Sequence, residues 1–459
     1  MINRGKVIER YRIILLHRRG MSVGEIAEAT GRSLGAVSRI LRRPTPFPEG
    51  YLKVREYIRR NPFATGKECA EACGLSRGYV SQILGMMFHE GEPEEVHEGY
   101  RIVRGLIREG DYRSAVALLE ILPLSDEALG VIDSLPTEMI TPMLRIYDLG
   151  SRTYDPSYRH RLDAMYGDVM KSALSQGDLL AYYHAAQMYI RFLMLNARWR
   201  EARSLLNSLR GKYLDLPTPL FLKYSALAGM LALIFGEPDD LKGILVRLRH
   251  KAESMRRYRG LRKRVILELL MAQGRYSEAS KYSLSDLRGD GASLFSMLLK
   301  LHTGAFREVL RMEVGMLGSP MGRLFTAIYR GAARIILGYR RNALSGIHEA
   351  YASLRGIAAA DIAYNYFMAF YHATGSDTPG TRRFLAEVVR LSGGMGVQGR
   401  ISKALLLWDV GILLPFNVEH LLRLCMEGRM AKAREKAEKG RMVFDLHRFN
   451  ALISAVKIS

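Results

Sequence analysis

Two short runs near the N-terminus hold side chains suited to gripping an anion. The first contains Arg32, Ser33, Gly35, Ser38, Arg39, Arg42 and Arg43; the second contains Ser76, Arg77, Tyr79, Ser81 and Gln82. A guanidinium offers a flat fork of donors that matches a phosphate or the edge of a base, and hydroxyl, phenol and amide groups add further donors. A third group lies within residues 242–264: Lys242, Arg247, Arg249, Lys251, Arg256, Arg257, Arg259, Arg262, Lys263 and Arg264, opposed by Glu253 alone and interleaved with Tyr258. Such a basic run suits a phosphate backbone. Its bland alternative is a solvated helix pair whose charge is balanced by acids on neighbouring elements.

Covalent chemistry finds no comparable support. Cys69 and Cys73, with His89 and His97 beyond them, do not have the spacing of a common zinc module, and no metal is expected. Gly394, Gly396 and Gly399 form a formal GxGxxG, but Thr381–Ser392 before it reads as a helix where a dinucleotide site needs a strand. Gly375 and Gly380 have Walker-like spacing, yet Thr381 stands where the phosphate-binding lysine belongs. His348-Glu349 lacks the second histidine of a zincin helix. With no nucleophile elbow and no catalytic set, the chain reads as a non-enzyme that needs no cofactor.

The two N-terminal runs belong to one duplicated segment. Ser22–Arg43 and, 43 positions on, Thr65–Met86 align without a gap. Glu25, Ala27, Glu28 and Ala29 recur as Glu68, Ala70, Glu71 and Ala72; Gly31, Ser33, Gly35, Val37, Ser38, Ile40 and Leu41 recur as Gly74, Ser76, Gly78, Val80, Ser81, Ile83 and Leu84. Ser22 with Glu25, and Thr65 with Glu68, have the spacing of a capping box. Each opens a predicted helix of about two turns, with a small residue (Ala27, Ala70) where a second helix would cross. Gly31 and Gly74 then supply the positive φ of a tight turn. Ser33 and Ser76 cap a second helix, whose Val37, Ile40 and Leu41, or Val80, Ile83 and Leu84, face the first. Cys69 aligns with Ile26 and Cys73 with Thr30, so packing accounts for both cysteines.

Small residue, glycine and aliphatic pair at this spacing resemble the helix-turn-helix motif of DNA-binding regulators. The resemblance implies that the second helix of each copy enters the major groove. Its early residues would then read base edges and its later arginines would hold phosphates. Gly85 and Met86 replace Arg42 and Arg43 in the second copy, which is expected to grip phosphate less. The alternative for either helix is a fold that docks protein or RNA.

Around the motifs, residues 4–19 predict a helix with Val7, Tyr11, Ile14 and Leu15 on one face, the third helix such a unit needs. Pro44-Thr45-Pro46-Phe47-Pro48 predicts a short stiff linker, and Tyr51–Arg60 repeats the leading helix. Met87–Val96 is expected to form a degenerate β wing, with an acidic loop through Glu90, Glu92, Glu94 and Glu95 as the alternative. From Tyr100 onward the apolar stripes are helical, and a smaller signature recurs as Gly110/Tyr112/Ala115, Gly274/Tyr276/Ala279, Gly304/Phe306/Val309 and Gly428/Met430/Ala433. Looser copies are Ala197/Trp199/Ala202, Gly338/Arg340/Ala343 and Gly236/Leu241. Intervals of 38, 30 and 34 residues separate 236, 274, 304 and 338. The signature resembles the tetratricopeptide repeat, which implies helix pairs stacked into an α-solenoid. It is hard to find between 120 and 190 and between 376 and 425.

The chain has 459 residues, 48% hydrophobic and 25% charged, with a net charge of +22. That is a globular composition facing polyanions, with +9 in residues 1–89 and the rest in the body. Three cysteines fit a reducing cytosol. Ala404–Phe416, the longest apolar run considered, is broken by Asp409, so a soluble cytoplasmic protein is expected. Together these features predict an all-α chain: helix-turn-helix units at 1–45 and 46–97, the second with a degenerate wing, then a tetratricopeptide-like domain at 98–459. The expected function is DNA-binding transcription regulation, with self-association as a homodimer or a protein partner through the repeats. A translation factor bound to ribosomal RNA is the competing expectation.

Overall fold

A computed structural model describes residues 4–42, 47, 49–88, 93–122, 130–155, 157–209, 212, 214–250, 258–284, 287, 290–312, 319–414 and 416–457. The protein is all-α, with no strand among the described residues. The chain divides into two compact units, one of Met1–Tyr189 with Gly211–Leu220 and the other of Ile190–Arg210 with Phe221–Ser459.

In the first unit α1 (Arg4–Arg18), α2 (Val23–Thr30) and α3 (Leu34–Leu41) enclose a small core of Ile13, Ile26, Ala27 and Val37, edged by Leu16, Met21, Val23, Ile40 and Leu41. The same plan repeats in α4 (Glu49–Arg60), α5 (Gly66–Cys73) and α6 (Arg77–Phe88), where Tyr51, Val54, Ile58, Cys69, Ala70, Val80 and Ile83 are buried. Helix α1 differs from its expected single face, because it buries Val7, Ile8, Tyr11, Ile13 and Leu15 while Ile14 is only half-buried. The reason is α7 (Pro93–Arg108), which covers its other side: a Cβ on Gly105 would come within 2.6 Å of Leu15, and one on Gly99 within 3.3 Å of Ile8.

The two small cores are clamped together. Phe47 is buried, stacked on Tyr51 at 4.5 Å and edge-on to Tyr11 at 5.7 Å. Buried Arg4 donates from Nε to the Ile121 carbonyl at 2.5 Å and from Nη2 to the Met86 carbonyl at 3.1 Å. Arg55 pairs with Glu120, and Arg59 Nε donates to Asp178 at 2.7 Å. The prolines of the linker lie outside the described residues. The expected β wing is corrected: Met87 and Phe88 end α6, and Pro93–Val96 open α7, with 89–92 outside the described residues. Met86 is buried and extends the helical stripe of Val80 and Ile83, and proline suits the first position of a helix.

The recurring signature has one local geometry throughout. Gly110, Gly236, Gly274, Gly304, Gly338 and Gly428 all have positive φ, and so does Ala197, at 56°. In the six copies with an intact sixth position, Ala115, Ala202, Ala279, Val309, Ala343 and Ala433 are fully buried. Two further turns of this kind carry no full signature: Gly177 before the helix Leu179–Leu195, and Ser376, at φ 59°, before Thr378–Ser392. The GxGxxG glycines sit at the junction of Thr378–Ser392 and Gly396–Leu407, two helices with no strand between them. The helix Thr218–Phe235 has 18 residues and a mean hydropathy of 1.5, long and apolar enough to cross a membrane, and 72% of it is buried within the protein. Lys223 interrupts its apolar run in the sequence.

Candidate nucleic-acid interface

Each head is set by its caps. The Ser22 hydroxyl accepts from the Glu25 N–H at 3.3 Å, and the Glu25 carboxylate accepts from the Ser22 N–H at 2.7 Å. Thr65 and Glu68 repeat this at 3.2 and 2.7 Å. These hydrogen bonds hold both carboxyls below the usual glutamate range. Gly31 and Gly74 close the first helices at φ 63° and 66°. The next helix then starts at a hydroxyl cap, Ser33 Oγ accepting from Ala36 N–H and Ser76 Oγ from Tyr79 N–H, both at 3.3 Å.

With Val37 turned inward, α3 and the turn before it present Ser33, Leu34, Gly35, Arg39 and Arg42 to solvent, with Ser38 half-buried. Arg43 lies outside the described residues. In the second head Ser76, Arg77 and Ser81 are exposed, while Tyr79 and Gln82 are half-buried. Tyr79 packs against α4: a Cβ on Gly50 would come within 2.7 Å of its ring. Among the described residues no acid pairs with Arg39, Arg42 or Arg77. Arg32 is placed differently. Its Nε and Nη2 fork onto the Glu9 carboxylate at 2.5 and 2.7 Å, tying the turn to α1 and raising the guanidinium's affinity for its proton.

Leu34 was missed in the sequence, although the duplication aligns it with Arg77. It is 59% exposed at the start of α3, where an apolar side chain suits a thymine methyl. Cys69 is packed inside the second head, and burial pushes its thiol up to about 12.

Among the described residues, the basic run within 242–264 is divided between two helices, and one of its cations is buried. Lys242, Arg247 and Arg249 are exposed on the helix Pro238–His250, and Arg249 pairs with Glu278. Lys251, Arg256 and Arg257 lie outside the described residues. On Arg259–Ala272, Arg259 and Arg264 are exposed, with Arg264 on Glu268 at 3.0 Å, and Arg262 is half-buried. Lys263 is corrected: it is buried, its ammonium donating to the Ser283 carbonyl at 2.8 Å. Consecutive residues on a helix point about 100° apart, so a run of neighbours cannot share one side. The second unit also gathers cations in a cleft of about 970 Å³, where Lys432, Lys436 and Lys439 of Met430–Gly440 meet Arg249, Arg275 and Lys281; of these, Arg249 and Arg275 pair with Glu278, and Lys439 pairs with Glu435 at 2.6 Å. Their i, i+4, i+7 spacing was the available signal. Partial burial, then Lys436 and Arg423, holds the His420 imidazole there below its usual value.

The family model described as a homeodomain-like domain matches residues 4–45. No curated protein matches the chain. The chain thus carries a homeodomain-like helix-turn-helix at its N-terminal end, within an all-helical protein.

Proposed function

We propose that this protein is a sequence-specific DNA-binding transcription regulator with two reading heads. The observation that carries the proposal is the pair of capped helix-turn-helix units, each exposing the start of its second helix and clamped to the other through Phe47. A rigid tandem spends little entropy on binding an extended site. Arg39 and Arg42 supply phosphate contacts, and Ser33, Leu34, Ser76, Arg77 and Ser81 lie where base edges are read. The later helix pairs, in a tetratricopeptide-like stack, serve self-association or a protein partner. The test is to crosslink the full chain in its own cells and sequence the nucleic acid bound to it. Discrete duplex loci upstream of genes support the proposal; ribosomal RNA in a few sharp clusters refutes it.

The basic cleft favours a second reading, a factor that holds ribosomal RNA phosphates through Lys432, Lys436 and Lys439. Replacing these three by glutamate separates the readings. Loss of ribosome association with duplex binding intact supports the RNA factor; ribosome association unchanged, with the genomic loci retained, supports the regulator.

A further inference from the structure

The second unit contains a cavity of about 390 Å³, within the range of small-molecule sites. Met271, Leu298, Phe325, Ile328 and Phe367 give it apolar walls. Part of the lining is different in kind. Tyr276, His302, Tyr366 and Arg448 also face the cavity, and they belong to a buried polar cluster. His302 Nδ1 lies 2.8 Å from Asp445 Oδ2, and its ring stacks on Tyr276 at 3.8 Å. Arg448 Nη2 donates to Asp445 Oδ1 at 2.5 Å, and its guanidinium lies 5.0 Å from the Tyr366 ring centre.

This cluster leaves donors unmatched. Tyr366 Oη, Arg448 Nε and Trp199 Nε1 are buried without a hydrogen-bond partner among the described residues, and all three residues line the cavity. Tyr366 is only 4% exposed. Protein interiors rarely leave such groups unpaired. Arginine and indole N–H groups can only donate, and a phenol can do so, so the complement they share is an acceptor oxygen. Asp445 already neutralises Arg448, and a ligand carboxylate would bury a further charge among apolar walls. A carbonyl satisfies the donors without that cost.

We infer that this cavity is a binding site for an uncharged, mainly apolar organic molecule whose carbonyl oxygen meets Tyr366 and Arg448. The inference does not rest on DNA binding, and its assay contains no DNA.

Prodan, an uncharged naphthyl ketone whose emission moves to the blue in apolar surroundings, is a suitable probe. Titrated into the full chain, it should bind saturably at one site with a blue shift. Tyr366→Phe removes a hydroxyl that has no partner, so folding should be unaffected while prodan affinity falls about five-fold, the loss of one hydrogen bond. Ala359→Trp, at a partly exposed position of the lining, should abolish saturable binding. Circular-dichroism melting of both variants checks that they fold. Absence of saturable binding, or wild-type affinity in both variants, overturns the site. Blocking by Ala359→Trp with no effect of Tyr366→Phe overturns the assignment of the acceptor.

Discussion

Replacing Arg39 and Arg42 together by alanine should flatten the salt dependence of duplex binding. Both are exposed, and among the described residues neither is held by an acid. Each phosphate neutralised adds ~0.9 to the slope of log K against log salt concentration, so losing two contacts lowers it by ~1.8. Between about 50 and 200 mM salt, that amounts to roughly 12-fold of affinity loss that the variant no longer shows. Arg32 is the internal control. Glu9 already occupies its fork, so Arg32→Ala should lower the slope by less than ~0.9. Fluorescence anisotropy of the full chain on a random-sequence duplex isolates the phosphate contribution from base reading. An unchanged slope in the double variant would refute the assignment of these arginines. A full unit lost with Arg32 alone would refute its role as a strut.

Ile26 is fully buried in the first head's core, and Ile26→Ala should cost that head about 2–4 kcal/mol, read as lost hydrogen-exchange protection in α1–α3. Phe47→Ala should cost about 3 kcal/mol and loosen the coupling of the heads, so that an extended duplex site loses affinity while binding to a single half-site holds. Burial alone would raise the Asp445 carboxyl, but His302 and Arg448 outweigh it and hold the group below the ordinary aspartate value. The stability this supplies is present above the unfolded pKa of ~3.9 and is lost as pH falls through the lower folded value. The urea midpoint should therefore drop with acid below about pH 4, and Asp445→Asn should lower it near neutrality and flatten the acid limb.

The heads were legible because everything that builds them is local. Capping boxes, the glycine turns and the inward Val37 and Val80 are set by residues within four positions of one another, and the duplication displayed the pattern twice. The sixth-position alanines followed the same logic. Ser376 escaped because none of its three positions matches: Thr378 stands in the aromatic place and Thr381 in that of the alanine. The expected wing gives way because the helices on either side carry on through Phe88 and from Pro93.

By itself, the sequence determined the all-α class, the two helix-turn-helix units, their caps and, Leu34 apart, the residues exposed at the start of their second helices. Only the tertiary structure decided which cations are free. Arg32 meets Glu9 across 23 positions, and Lys263 turns in toward Ser283. It also decided that Lys432, Lys436 and Lys439 share a cleft with Arg249 and Arg275, and that Tyr366 and Arg448 leave donors facing a cavity. Helix periodicity is encoded in neighbours a turn apart, whereas the partner of a charge is chosen by which distant helix packs beside it.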